Sequence, residues 1–312
     1  MHEIADRLLA AHTEGRRLAV ATAISIEGSA PRTVGTSMAF DGEAVIGSIA
    51  GGCVEGAVVE TCELVLADGI PRTVEYGVSD ETAFSVGLTC GGQLRIHVQP
   101  FTEELADALR ERREIEVCGF VERAPVARRM IIFGAMEFSA ALSKAAQVIG
   151  YSVTICDPRP LFATVARFPG AQTVVQWPTE FLASTTVDEH TVICVLSHDA
   201  RFDAELIAQA LALPVAYVGA MGSRNTHDRR VASLAERGVH DLSHLHSPIG
   251  LDLGGSTPEE TAIAILAEVI AERTKASTLA LAETAGAIHP ARVAPGQAMS
   301  GTHMSFESSS AP

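Results

Sequence analysis

The sequence predicts an α/β protein, an N-terminal α+β domain followed by a Rossmann-like doubly wound parallel-sheet domain. Three observations lead there. Over residues 129–160, an apolar run, a glycine, a helical apolar spacing and a second apolar run ending at Asp157 read as strand, turn, helix and strand. From there to residue 275 strand and helix patterns go on alternating, the pattern of a parallel sheet covered on both faces. Residues 1–100 instead carry hairpin and strand signals around two helices.

The first of these stretches is the most detailed. Met130 to Phe133 form a buried strand bounded by Gly134, and apolar residues then recur at Phe138, Ala141, Leu142, Ala145 and Val148. Gly150 stops the helix, and a strand over 152–156 ends at Asp157, 23 residues after Gly134. That spacing suits a dinucleotide-binding βαβ unit. The pattern G-x-G-x-x-G is nevertheless not met, because Met136 and Ser139 stand at the second and third glycine positions. Met136 would block close backbone approach to a pyrophosphate and Glu137 would repel one, so the architecture is signalled and a nicotinamide cofactor is disfavoured.

In chain order, a helix is expected over 3–13 and a strand over 18–24. A hairpin turned by a two-residue Asp41-Gly42 connection comes next, then a helix from Cys53 to 67 ended by Asp68-Gly69. Strands are expected over 72–76 and 93–98. Residues 101–128 are charged and lose the apolar period, and they read as a linker with at most one helical turn and a short strand. The second domain, 129–275, continues with strands over 173–175, 191–196 and 215–218 and helices over 202–211 and 225–237. Its last helix opens at Thr257-Pro258-Glu259-Glu260, a capping box with proline in the first turn. Five or six strands are expected. Residues 276–312, rich in Ala, Ser, Thr, Gly and Pro, are expected to be a mobile tail.

Composition limits the function. The 312 residues are 47% hydrophobic and 20% charged, enough for two domains with sizeable cores. A net charge of −15 and the lack of a basic run exclude a nucleic-acid partner. No apolar stretch approaches the roughly 20 residues of a membrane span, and the amphipathic N-terminus has no signal-peptide core. Six cysteines without paired spacing suit a reducing cytoplasm, so a cytoplasmic protein is expected.

Ligands of an open parallel sheet sit beyond the carboxyl ends of its strands. Those ends are Gly134-Ala135-Met136-Glu137, Asp157-Pro158-Arg159, Ser197-His198-Asp199 and Gly219-Ala220-Met221-Gly222-Ser223-Arg224. In the first domain, Gly28-Ser29-Ala30-Pro31-Arg32 is an ordinary surface loop or an anion clasp. Gly51-Gly52-Cys53 places a thiol at a helix start, where the dipole favours a thiolate that could bind a soft metal or sulfur species; a small buried hydrophobe is the equal alternative. Cys90 has the same ambiguity, whereas Cys62, Cys118, Cys156 and Cys194 read as packing residues. His240, His244 and His246 read as solvent-facing, and no G-x-S-x-G elbow or paired metal-ligand spacing occurs. No self-sufficient catalytic constellation is found.

Several segments together carry a resemblance. GSAPRTVGTSMAF, GSIAGGCVEGAV and LTCGG in the first half, and DPRPLFATVARFPGA, SHDARFD, YVGAMGSR and SPIGLDLGGSTPEETAIAILAEV in the second, resemble the XdhC/CoxI family over roughly residues 5–275. The resemblance implies an accessory factor that binds molybdenum cofactor, protects it during sulfuration and delivers it to a molybdenum hydroxylase such as xanthine or carbon monoxide dehydrogenase. It also implies contact with a cysteine desulfurase, no catalysis of its own, and a homodimer. Carried over by motif, the cofactor-binding positions are Arg32, Gly51, Gly52, Cys53, Glu55, Cys90 and Gly91, then Gly134, Asp157, Arg159, His198, Asp199, Gly222, Ser223 and Arg224. Cys53 is the one offered as a contact to molybdenum, and Arg32, Arg159 or Arg224 as the holder of the cofactor phosphate. Two other readings stand beside this one, an NAD(P)-dependent oxidoreductase and a purely protein-binding maturation adaptor. The chemistry is expected at the Cys53 loop and at the edge carrying Asp157, His198 and Arg224.

Overall fold

A computed structural model describes residues 1–28, 32–77 and 93–285. The chain divides into two compact units, Met1–Pro125 with the residues from Leu281, and Val126–Ala280.

The first unit is built on an antiparallel sheet. Its elements are α1 (Ala5–Thr13), β1 (Ala19–Glu27), β2 (Ser37–Phe40), β3 (Val45–Gly47), α2 (Glu55–Asp68), β4 (Arg72–Tyr76), β5 (Gln93–Pro100), α3 (Glu103–Arg110), β6 (Ile115–Val117) and β7 (Phe120–Glu122). The five longer strands pair in the order β3-β2-β1-β5-β4, and β6 pairs with β7. Alternation along β1 splits the core into two layers. Val20 packs with Leu8 of α1 and Leu109 of α3. Ala19, Ala21 and Ala23 pack with Val58, Cys62 and Val65 of α2. Met1 is buried, and its ammonium group bonds Glu122 at 2.7 Å.

Three expectations change here. The hairpin turn is longer than two residues: Asp41 lies outside both strands, and its carboxylate accepts from the N–H groups of Glu43 and Ala44 at 2.8 and 2.7 Å. The expected linker folds into the unit, because Ala106, Ala108, Leu109, Ile115 and Val117 are buried in the α1 layer. Most of its charged residues lie exposed on α3 and the β6–β7 hairpin, whereas Glu122 is buried against the Met1 ammonium. Cys118 is not a packing residue; it is exposed at that hairpin's turn, with φ of 47° and Gly119 at 81°.

The second unit is the doubly wound domain. Its elements are β8 (Arg128–Phe133), α4 (Glu137–Val148), β9 (Tyr151–Cys156), β10 (Gln172–Val174), α5 (Pro178–Ser184), β11 (Thr191–Val195), α6 (Asp203–Leu211), β12 (Tyr217–Ala220), α7 (Arg224–Glu236), β13 (Leu245–His246) and α8 (Pro258–Thr274). The six strands are parallel in the order β10-β9-β8-β11-β12-β13. Leu142 and Ala146 of α4 and Ile265 and Val269 of α8 cover one face. Leu182 of α5, Leu206 and Ile207 of α6 and Leu234 of α7 cover the other. The capping box of α8 forms, with Thr257 accepting from the Glu260 N–H and the Glu260 carboxylate accepting from the Thr257 N–H.

Two elements of this unit escape a reading by period. Helix α5 is one short apolar stretch after a proline, and β13 is two residues long. His246 consequently does not face solvent. It stacks on Tyr217 at 4.3 Å, and its Nδ1 lies 3.2 Å from Glu268, which also accepts from Tyr217 Oη at 2.5 Å and Gly250 N–H at 2.8 Å. The expected tail contains a short 3-10 turn at Leu281–Glu283, and its residues from 286 on lie outside the described residues.

Candidate functional site

Winding reverses at β8, whose neighbours are β9 on one side and β11 on the other. A crevice at such a reversal is where open α/β sheets take ligands. A cleft of about 380 Å³ lies there, lined by Gly134, Met136, Asp157, Arg159, Ser197 and His198 among others. Gly134 makes it possible: its φ is +103°, and an added Cβ would stand 3.0 Å from the Ser197 nitrogen. The glycine allows the close approach of β8 to the end of β11.

Around this cleft each aspartate is held by an arginine. Asp157 is 2% exposed and accepts from the Ala135 N–H (2.8 Å), the Arg159 N–H (2.9 Å) and Arg159 Nε and Nη2 (2.8 and 2.7 Å). Burial opposes its charge, but the Arg159 bonds prevail and hold its carboxyl below the usual range. The same i, i+2 geometry recurs at Asp199 and Arg201, where the arginine bonds bring the aspartate down to about 2. Arg230, buried at the back, bonds Asp203, Ser247 and the Met221 carbonyl; burial raises the Asp203 carboxyl despite that arginine. His198 is exposed in the cleft, and Ser197 Oγ beside it is buried with no hydrogen-bond partner among the described residues. Sequence reasoning does not single out Ser197 or Arg201 as site residues. The repeated Asp-x-Arg pattern (157–159, 199–201) is the signal that could have found Arg201.

A second cleft, about 600 Å³, lies farther along the same edge, lined by Gly222, Ser223, Arg224, Asn225, Pro248, Gly250 and Asp252. Ser223 caps the 13-residue α7, its Oγ accepting from the Thr226 N–H at 3.2 Å, and the first turn of α7 carries no acidic residue. Arg224 opens the helix, exposed, with no side-chain hydrogen bond or ion pair among the described residues. A helix N-terminus and a free guanidinium both favour an anion.

The structure separates the three arginines offered for a phosphate. Arg32 bonds Glu3 at 2.7 Å and Arg159 is spent on Asp157, whereas Arg224 is unpaired among the described residues.

In the first unit, the loop before α2 is organised by Glu55. One carboxylate oxygen accepts from Ser48 Oγ (2.8 Å) and the N–H groups of Ile49 and Ala50 (3.2 and 3.0 Å); the other accepts from those of Gly52 and Val54 (2.7 and 3.2 Å). Burial works against this charge, but the converging donors outweigh it and bring Glu55 to about 2. Gly51 and Gly52, at φ of +75° and +112°, give the backbone the curvature that turns these N–H groups inward. Helix α2 begins at Glu55 with Val54 at its N-cap, so Cys53 stands one residue outside the helix, half-buried against the Val54 and Val58 cluster. Cys90 and Gly91 lie outside the described residues. Cys62 and Cys156 are buried and both pushed up to about 12 by burial, which marks them as packing residues; Cys194 moves the same way. Among the described residues no group of three or more His, Cys, Asp or Glu side chains could hold a metal ion, and no helix is long and apolar enough to cross a membrane.

Fold and sites together define a protein with an α+β unit followed by a Rossmann-like unit with two clefts at its carboxyl edge. Residues 11–77 match the model of the XdhC and CoxI family, and residues 130–269 match the XdhC Rossmann domain. The chain belongs to the XdhC/CoxI family. It is similar to a probable xanthine dehydrogenase subunit of Bacillus subtilis (strain 168), 26% identical over 89% of this chain and 99% of the relative. It is also similar to the "Molybdenum cofactor insertion chaperone PaoD" of Escherichia coli (strain K12), 27% identical over 83% of this chain and 84% of the relative. A crystal structure described as a xanthine dehydrogenase from Bacillus halodurans shares the fold, with a TM-score of 0.73 at 23% identity over 88% of this chain and 97% of that one.

Proposed function

We propose that this protein is a carrier for molybdenum cofactor that takes the cofactor as cargo, protects it during sulfuration and delivers it to an apo molybdenum hydroxylase. It performs no turnover of its own, works in the cytoplasm, meets a cysteine desulfurase as sulfur source, and acts as a homodimer. Membership of the XdhC/CoxI family and a relative named as a molybdenum cofactor insertion chaperone support the class of function. The relative named for xanthine dehydrogenase supports a molybdenum hydroxylase as the recipient.

The observation that carries the reading is Arg224 at the start of α7, exposed and unpaired among the described residues. Molybdopterin has one phosphate, a flat pterin and a dithiolene that holds the metal. Arg224, Ser223 and the first-turn N–H groups of α7 would hold the phosphate. In the first unit, taken by itself, Cys53, fixed by the loop that Glu55 ties together, is separately proposed as a contact to molybdenum or its terminal sulfur. Glu55 acts as a positioning residue, since its carboxylate already takes five donors from its own loop. An NAD(P)-dependent reaction is disfavoured by the closed turn before α4.

Incubation with molybdenum cofactor, repurification, and metal and pterin analysis test the proposal. The full chain retains both in equal amounts. Arg224→Ala removes a charged hydrogen bond to phosphate, about 1.5–3 kcal/mol, and so weakens retention by roughly tenfold or more. Cys53→Ala lowers activation of the apo hydroxylase. No retention by the unmodified chain, or unchanged retention and full activation by both variants, overturns the reading.

A further inference from the structure

Resting on that reading, we infer that the second unit selects the single-phosphate form of the pterin cofactor and rejects pyrophosphate-linked dinucleotide forms, with Met136 and Arg159 setting the choice. A dinucleotide at a βαβ turn needs room for a pyrophosphate against the turn, free N–H groups at the helix start, and a carboxylate for the ribose hydroxyls. Each requirement fails here through a named contact.

Room is taken by Met136, which fills the second glycine position and lies with its Sδ 3.8 Å from Arg159 Nη2. The turn's Ala135 N–H is spent on Asp157 at 2.8 Å. The first residue of α4 is Glu137, exposed, negative and steadied by Arg167 Nη2 at 2.8 Å; Arg167 also bonds the Ala135 carbonyl at 3.0 Å. A pyrophosphate would meet a carboxylate where the fold usually offers a helix dipole.

The ribose acceptor is masked as well. Asp157 stands where the βαβ unit places its acid, but four donors already point at it and three of them belong to Arg159. The guanidinium is held in that pose by the Phe162 ring 4.4 Å beneath it. A fork bound bidentately on a nearly buried carboxylate does not release it to a neutral diol.

The turn before α7 is the converse. It has no acid in its first turn, a serine cap and an exposed arginine with no side-chain partner among the described residues. This edge therefore carries one seat for one phosphate, and a ligand with a second, bridged phosphate and ribose finds no complement at α4.

The test uses the full chain and three fluorescent probes: the pterin phosphate monoester left when molybdopterin is oxidised, its dephosphorylated counterpart, and NADH as a pyrophosphate-linked dinucleotide. The monoester binds at least about tenfold more tightly than the dephosphorylated pterin, and NADH does not compete with it. Met136→Gly with Arg159→Ser opens the turn and unmasks Asp157, so NADH binding appears with a gain of about tenfold or more. Arg159→Lys keeps a cation on Asp157 and gains nothing. Met136→Gly alone, with the ion pair intact, gives a smaller gain and covers the case in which the double variant does not fold. Competition by NADH against the original chain, or folded variants in which NADH binding does not rise, overturns the inference. Absence of any pterin binding instead overturns the proposed function itself, and pterin binding without preference for the monoester overturns this inference alone.

Discussion

Gly134 has two readings that a sequence cannot separate. A glycine between a strand and a helix can admit a phosphate or admit a neighbouring strand, and here the Ser197 nitrogen would lie 3.0 Å from an added Cβ and the Leu196 carbonyl carbon 3.2 Å. Both are backbone atoms that cannot swing aside. With φ at +103°, Gly134→Ala combines a left-handed conformation with overpacking, and should cost about 2–4 kcal/mol in urea unfolding. An unchanged midpoint would contradict the close approach. Glu55 is the other residue whose part changes. By motif it is a cofactor ligand; in the fold its lone pairs are occupied by the loop that presents Cys53. Side-chain occupancy of this kind depends on where the backbone bends, and spacing does not report it.

At the level of elements, period and punctuation serve well where one face is apolar and the ends are capped. Helix α8 is the clearest instance of punctuation, with Thr257, Pro258 and Glu260 in the positions their chemistry requires. Thr257→Ala should lower the stability of the second unit by about 1 kcal/mol, measurable as a shift in its denaturant midpoint, while Glu259→Ala should not. The same signals fail on α3 and the β6–β7 hairpin. Helix α3 is amphipathic, but it has only eight residues, its buried positions are mostly small, and Glu103, Glu104, Arg110 and Glu116 dominate the segment, so its apolar positions do not stand out although they complete a core layer. They fail again at β13, where two residues join a sheet edge because Glu268 and Tyr217 draw His246 inward.

Across the whole molecule, the acidic balance has a consequence for pH. Glu55, Asp157, Asp199 and Glu268 all have folded-state pKa values below their ordinary ones, Glu55 and Asp199 at about 2. A carboxylate depressed in the folded state contributes stability that is fully present above its unfolded value, about 4, and is lost as pH falls towards the folded value. Asp203, raised by burial, has the opposite sign and partly offsets this. Stability should therefore fall steeply between roughly pH 4.5 and 2. Chemical denaturation across that window checks it, and a Glu55→Gln chain should show a shallower fall. The sequence by itself determined the α+β unit, the doubly wound domain and the strand ends at which ligand groups must lie, because alternation, glycine stops and caps are local properties. Only the tertiary structure decided which of those groups are free. Arg32 is tied to Glu3 and Arg159 to Asp157, while Arg224 is left unpaired among the described residues, and ion pairing is settled by which side chains folding brings within reach.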